Sequence, residues 1–191
     1  TGALPDKARE LVTIAIQNCE RLVRLVNDIL DSERMMSGKM QFKMESLDVF
    51  AVIERCLRET EAFAAANGVH TRYDPPGSAA LVRADRDRLA QVVTNLLSNA
   101  CKFSPSGGTV EVSVQRSGAN VRVEVCDRGL GVPAAQAPRL FARFMQVDAS
   151  NLRRQSGTGL GLSICKGLIE RMDGRIGYAP RTGGGSVFFF E

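Results

Sequence analysis

Three groups of residues in this chain have the types and the spacing for anion chemistry. Asn95, Asn99 and Lys102 stand at i, i+4 and i+7 of "DRLAQVVTNLLSNACKFS" (from Asp87), so on a helix they share one face. That face flanks a stripe of Leu89, Val92, Val93, Leu96, Leu97 and Ala100, which reads as core. Two amides and an ammonium at a core edge suit an anion and its metal ion, since an amide oxygen coordinates a hard cation and an ammonium meets phosphate oxygens. A solvent-facing polar row has the same spacing. "DRGLG" (from Asp127) sets a carboxylate acceptor at a strand exit, ahead of Gly129 and Gly131, which let the backbone turn tightly; a simple strand-exit turn also explains it. "GTGLGL" (Gly157 to Leu162) opens a helix, whose exposed N–H groups and positive end favour an anion. No G-K-S/T follows, so it is not a P-loop. Leu162 takes the third glycine position of a dinucleotide fingerprint and no strand closely precedes, which excludes that motif too.

These groups need a scaffold, and the periodicities supply one. A first helix is expected from about Pro5 to Met36, with heptad-like Ala8, Leu11, Ala15, Leu22, Leu25 and Ile29 beside a second stripe of Val12, Ile16, Cys19, Val23, Val26 and Leu30. Two adjacent apolar stripes call for partners on two sides, as in one helix of a four-helix bundle made by two chains, or for packing on the chain's own domain. Ser37-Gly38 ends it, and an extended stretch follows. A second helix is expected from Leu47 to about Asn67, closed by Asn67-Gly68. Short strands are expected near Val69–Tyr73 and Ala80–Arg83, then a third helix capped by Asp85 and running to about Phe103. Val110, Val112 and Val114, then Val121, Val123 and Val125, alternate with polar residues on either side of "RSGAN", a hairpin. A fourth helix from about Leu160 to Met172 and two strands in "RIGYAP" and "GSVFFFE" complete the pattern. The expectation is a two-layer α/β (α+β) sandwich: one mixed sheet of about five strands, covered by three helices on one face and preceded by one long helix.

The bulk numbers agree with a globular domain. The chain has 191 residues, 44% hydrophobic and 24% charged, enough for one full domain and a helical appendage. No run of about 18 apolar residues is present, and the first residues lack a signal-peptide pattern. An abrupt polar start leaves room for a membrane anchor upstream. The net charge of +4 comes from dispersed Lys and Arg without a nucleic-acid motif, so solvated surface and cations around an anionic nucleotide account for it. The five cysteines (Cys19, Cys56, Cys101, Cys126 and Cys165) show no C-x-x-C pair and read as buried thiols of a reducing compartment.

The asparagine-rich helix, "DRGLG", "FARF" (from Phe141) and "GTGLGL", in that order, resemble the N, G1, F and G2 boxes of the sensor histidine kinases, which share the ATP-binding fold of gyrase-type ATPases. "NCERLVRLVNDILDSERMMSGKM" also resembles that family's second dimerisation helix and its exit, so the resemblance spans nearly the whole chain. It implies a partial dimerisation domain over residues 1–40 and an ATP-binding catalytic domain over 41–191. The position matching Asn99 supplies an oxygen to Mg²⁺, Lys102 meets phosphate, and Phe103 packs on adenine. Asp127 accepts from the adenine amine, with Gly129, Gly131 and Val132 around the base and the Ser186 hydroxyl nearby. Gly157, Thr158, Gly159, Leu160, Gly161 and Leu162 line the phosphates. "DASNLRRQS" (Asp148 to Ser156) matches the ATP lid, where Arg153 and Arg154 are phosphate candidates or solvated charges. Phe141 and Phe144 are expected to anchor the lid base, with Phe144 also at the nucleotide site, and Arg143 to approach the γ-phosphate.

Asn95 stands where hydrolytic relatives carry a water-activating glutamate. An amide takes no proton at pH 7, which favours transfer to a protein side chain over hydrolysis. The family's acceptor histidine sits in an H-E/D-x-x-x-P segment, whereas this chain's one histidine, His70, sits in "GVHTRYD". The resemblance therefore implies a protein-histidine kinase core that binds Mg–ATP or ADP but does not label itself. A hydrolytic ATPase of the same fold and a nucleotide-binding scaffold remain as alternatives. Expected partners are ATP, a response-regulator receiver domain and a second copy through residues 8–30; no nucleic acid or membrane contact is expected, and the location is cytoplasmic, including the cytoplasmic part of an inner-membrane receptor.

Overall fold

The computed structural model describes residues 5–75, 79–118, 120–146 and 158–191. It divides into two compact units, one ending at Met40 and the other spanning Gln41–Glu191.

The first unit is a single helix, α1 (Asp6–Met36). Lys39 N and Met40 N both donate to Arg34 O and close its end after Ser37-Gly38. Members of both apolar stripes are exposed, among them Leu11 (60%), Val12 (46%), Leu22 (60%) and Val23 (60%). One helix cannot bury two stripes by itself. Cys19, expected as a buried thiol, is exposed here because it lies on one of those stripes. No helix among the described residues is long and apolar enough to cross a membrane.

In the second unit, β1 (Met44–Asp48) leads into α2 (Val49–Ala66), capped by Asp48 accepting from Phe50 N at 3.1 Å. Then come β2 (His70–Tyr73), β3 (Leu81–Asp85) and α3 (Arg86–Phe103), followed by β4 (Thr109–Ser117), β5 (Asn120–Cys126), α4 (Gly161–Arg171), β6 (Ile176–Pro180) and β7 (Ser186–Phe190). The main sheet has the order β2-β4-β5-β7-β6, with β2 parallel to β4 and the other pairs antiparallel. The register stacks one apolar row across it: Val112 opposite Val125, Val114 opposite Val123, then Phe188 and Phe190 opposite Val125 and Val123. Helices cover this row, with α3 between α2 and α4. Leu89, Val92, Val93, Leu96 and Leu97 of α3 are at most 3% exposed, so the predicted stripe is the centre of the core.

The mixed five-stranded sandwich matches the expected class. One detail differs. The strand expected near Ala80–Arg83 leaves the main sheet and pairs antiparallel with β1, Met44 opposite Asp85 through Asp48 opposite Leu81, as a separate two-stranded sheet. Neither short strand carries a long alternation, so neither announces its partner.

Candidate functional site

Asp85 sets the start of α3. Its Oδ1 accepts from Asp87 N (3.1 Å) and Arg88 N (3.0 Å), and its Oδ2 from Lys43 N (2.7 Å). Burial pushes its carboxyl up, but these backbone donors and the nearby Arg88 outweigh burial and hold it below the usual carboxylate range. The helix so anchored presents Asn95 and Asn99 half-buried at the edge of the core stripe. Asn99 Nδ2 donates to Asn95 Oδ1 at 3.0 Å. Since the amide is planar, that bond turns Asn99 Oδ1 away from Asn95, and an amide oxygen is an atom that a hard cation can take. At the end of α3, Lys102 Nζ lies 5.1 Å from the centroid of the half-exposed Phe103 ring.

The "GTGLGL" segment meets this helix directly. A Cβ on Gly161 would lie 2.5 Å from Asn95 Nδ2, so only glycine lets the start of α4 approach the Asn95 amide this closely. Leu160, the N-cap of α4, makes no side-chain cap hydrogen bond, and its side chain is core, 1% exposed. Thr158 Oγ1 accepts from Leu160 N at 3.2 Å. The first turn of an 11-residue helix therefore begins beside the asparagine pair. Leu162 is half-buried. Gly159 lies against the backbone of Phe144 and Met145, which brings the "FARF" segment to the same place.

Asp127 lies beyond the end of β5, 3% exposed. Its Oδ1 accepts from Gly129 N (2.7 Å) and Ser186 N (3.1 Å), and its own N–H donates to Ser186 O at 2.9 Å. Burial is the largest influence and pushes the carboxyl up; the Gly129 and Ser186 N–H groups, the Ser186 hydroxyl and Arg181 oppose it without overcoming it. Gly129 faces the Phe103 carbonyl, so the "DRGLG" turn touches the end of α3. Gly131 approaches Gly185 O, and Val132 N donates to the Tyr178 hydroxyl at 3.3 Å.

The structure thus brings Asn95, Asn99, Lys102, Phe103, Asp127, Gly129, Gly131, Gly159, Leu160, Gly161 and Ser186 into one chain of contacts and close neighbours, with Val132 and Thr158 at its ends. Arg143 is exposed. Phe144 has a left-handed backbone (φ 58°), is 71% exposed and meets Gly159 through its main chain, while the lid it is expected to anchor lies outside the described residues. Arg153, Arg154 and Gly157, with the expected lid, lie outside the described residues. Sequence reasoning passed over Arg181, whose Nη1 donates to Asp127 O at 3.2 Å and whose Nη2 pairs with Glu111. These partners lie 54 and 70 residues away, so no local pattern signals them.

The site thus combines a mixed sheet under three helices, a buried acceptor carboxylate at one strand exit and amides against a helix start. Residues 84–191 match the family model of the histidine kinase-, DNA gyrase B- and HSP90-like ATPases, and the chain belongs to that family. Among curated relatives, it is 34% identical over 198 aligned positions to the peroxide stress-activated histidine kinase mak2 of Schizosaccharomyces pombe, covering 98% of this chain and 9% of that protein. It is also similar to the solved structure of full-length ShkA in complex with AMPPNP (27% identity, TM-score 0.79, 99% of this chain and 39% of that one). The structure of histidine kinase ThkA in complex with response regulator protein TrrA has a TM-score of 0.75 at 23% identity, over 99% of this chain and 52% of that one; that likeness bears on fold alone. The chain spans a small part of its curated relative's length, and its fold is that of histidine kinase catalytic domains.

Proposed function

We propose that this chain is the ATP-binding kinase core of a two-component sensor histidine kinase, which donates the γ-phosphoryl group of ATP to a histidine on another helix for relay to a response-regulator aspartate. The observation that carries the reading is a buried, backbone-held acceptor, Asp127, whose turn touches the end of α3 at Phe103, while the start of α4 lies against Asn95 of the Asn95–Asn99 pair on the same helix. Asp127 would accept from the adenine amine beside Phe103, and Ser186 would hold the aspartate. The α4 N–H groups and Lys102 would receive the phosphates, as would Arg143, Arg153 and Arg154. Asn99 Oδ1 would hold Mg²⁺, which supplies charge neutralisation across the phosphates. Binding and orientation are the chain's contribution to transfer, since phosphoryl transfer asks for positioning and charge more than covalent help. Asn95 takes no proton, which disfavours water activation.

Residues 41–191 form the catalytic domain in this reading, and residues 1–40 the second helix of a dimerisation domain. The exposed stripes of α1 support pairing with a second copy over residues 8–30. His70 is an exposed strand residue opposite Thr109, an unsuitable helix-borne acceptor, so the chain is proposed not to phosphorylate itself. The receiver-domain partner follows from the proposed relay, and a cytoplasmic location from the ATP requirement.

Calorimetric titration of Mg–ADP and a non-hydrolysable ATP analogue, with Asp127→Ala and Asn99→Ala alongside, tests the site. The expected result is micromolar binding, abolished by Asp127→Ala and weakened by Asn99→Ala mainly in its Mg²⁺-dependent part. No binding by the folded chain would leave a scaffold instead. Labelling from γ-labelled ATP of a separately supplied acceptor domain, without comparable phosphate release, separates a kinase from a hydrolase.

A further inference from the structure

The geometry points to Arg181 as a positioning residue that locks the base-reading Asp127 in place by holding its backbone carbonyl. This rests on the reading of Asp127 as the acceptor for an adenine-type amine. Arg181 opens the turn between β6 and β7, where its N–H donates to Gly185 O (3.2 Å) and its carbonyl accepts from Gly184 N (3.1 Å). Ser186, which follows Gly185, donates its N–H to Asp127 Oδ1. A Cβ on Gly185, whose φ is +105°, would collide with Asp127 O, so the turn lies directly on that carbonyl. Arg181 Nη1 reaches the same oxygen at 3.2 Å, while Nη2 is held by Glu111, on β4 opposite Cys126. The side chain is 16% exposed, and Arg128, 60% exposed, reaches the other Glu111 oxygen only at 3.8 Å.

One guanidinium therefore ties three elements together: β4, the exit of β5 and the β6–β7 turn. Asp127 is held at both ends, its carbonyl by Arg181 and its Oδ1 by Gly129 and Ser186. The task needs two nitrogens of a planar fork engaged at once, which a lysine ammonium does not reproduce. The positive charge of Arg181 also opposes the effect of burial on the Asp127 carboxyl.

The test is calorimetric titration of ADP and of inosine diphosphate, which carries a carbonyl oxygen in place of the adenine amine, into the unmutated chain, Arg181→Met and Arg181→Lys. The unmutated chain is expected to prefer ADP. Both variants should lose about tenfold in ADP affinity while inosine diphosphate changes by less than about twofold, so that base discrimination collapses. Equal losses for both nucleotides would make Arg181 a general structural residue and overturn the proposal, as would undiminished discrimination in either variant. Thermal melts accompany each titration. Arg181→Lys, which keeps the stem and the charge, decides the matter if Arg181→Met does not hold a native melt. If the unmutated, folded chain binds ADP and inosine diphosphate alike, the adenine reading of Asp127 falls first and this proposal with it.

Discussion

Replacing Asp127 with asparagine separates the stability of the pocket from its function. The side chain is 3% exposed, and its Oδ1 carries the contacts from Gly129 N and Ser186 N. Asparagine keeps the shape and one carbonyl oxygen for those donors, and turns the other oxygen into an NH₂. Burial holds the folded-state carboxyl above its ordinary value, against the pull of Gly129, Ser186 and Arg181. A raised carboxyl pKa makes ionisation cost stability at every pH above the folded value, and the cost disappears as pH falls below the unfolded value. Asp127→Asn has no charge to bury. It is expected to melt at or above the parent temperature at pH 7, with the difference shrinking towards pH 4. Binding moves the opposite way. An amide N–H facing the adenine amine removes a charge-assisted hydrogen bond worth about 2 kcal/mol, or roughly thirtyfold in ADP affinity. Melting from pH 4 to 8 and calorimetry with ADP read both effects. A variant binding ADP within about threefold of the parent would remove Asp127 from base recognition. A lower melting temperature at pH 7, with a deficit that closes on acidification, would refute the burial account.

Gly161→Ala sets two comparable effects against each other. Helix propensity favours alanine by up to about 1 kcal/mol, while displacing Asn95 breaks its 3.0 Å bond to Asn99 at a cost of about 1 kcal/mol. The melting temperature should move little while the Mg²⁺-dependent part of ADP affinity falls, measured with and without chelator; an unchanged Mg²⁺ dependence would mean that Asn95 does not orient Asn99. Asp85→Ala removes the α3 cap and the link to Lys43, and should cost about 1–2 kcal/mol in urea unfolding at pH 7. Because the Asp85 carboxyl is held low, its contribution is present above the unfolded pKa of about 4 and is lost as pH falls through the folded value, so the penalty should shrink in acid. A penalty that grows in acid would contradict this. The Tyr73 hydroxyl is buried without a hydrogen-bond partner among the described residues, and burial, with Glu54 and Asp48 nearby, pushes its pKa up to about 12. Tyr73→Phe should therefore stabilise by about 1 kcal/mol in the same assay, and a loss would reveal a partner for the hydroxyl.

Much of this protein is written in short-range pattern. The cap at Asp85, the stripe from Leu89 to Ala100, the amides beside it and the Val110–Val125 hairpin lie within a few positions of one another. Helix and strand periods convert such spacings straight into faces. The order of the four short motifs carried the family, and the glycines at 129 and 161 marked where backbone had to come close. Packing alone decided the rest. β3 pairs with β1 outside the main sheet, a partner that two short strands without clear alternation do not announce in the sequence. The left-handed backbone of Phe144 and its close approach to Gly159 are likewise visible only in the folded chain. Arg181 meets Glu111 and Asp127 only because the sheet order puts β4, β5 and β7 side by side. Sequence periodicity reports neighbours along one element; contacts between elements distant in the chain follow from how the sheet and helices close over a shared core.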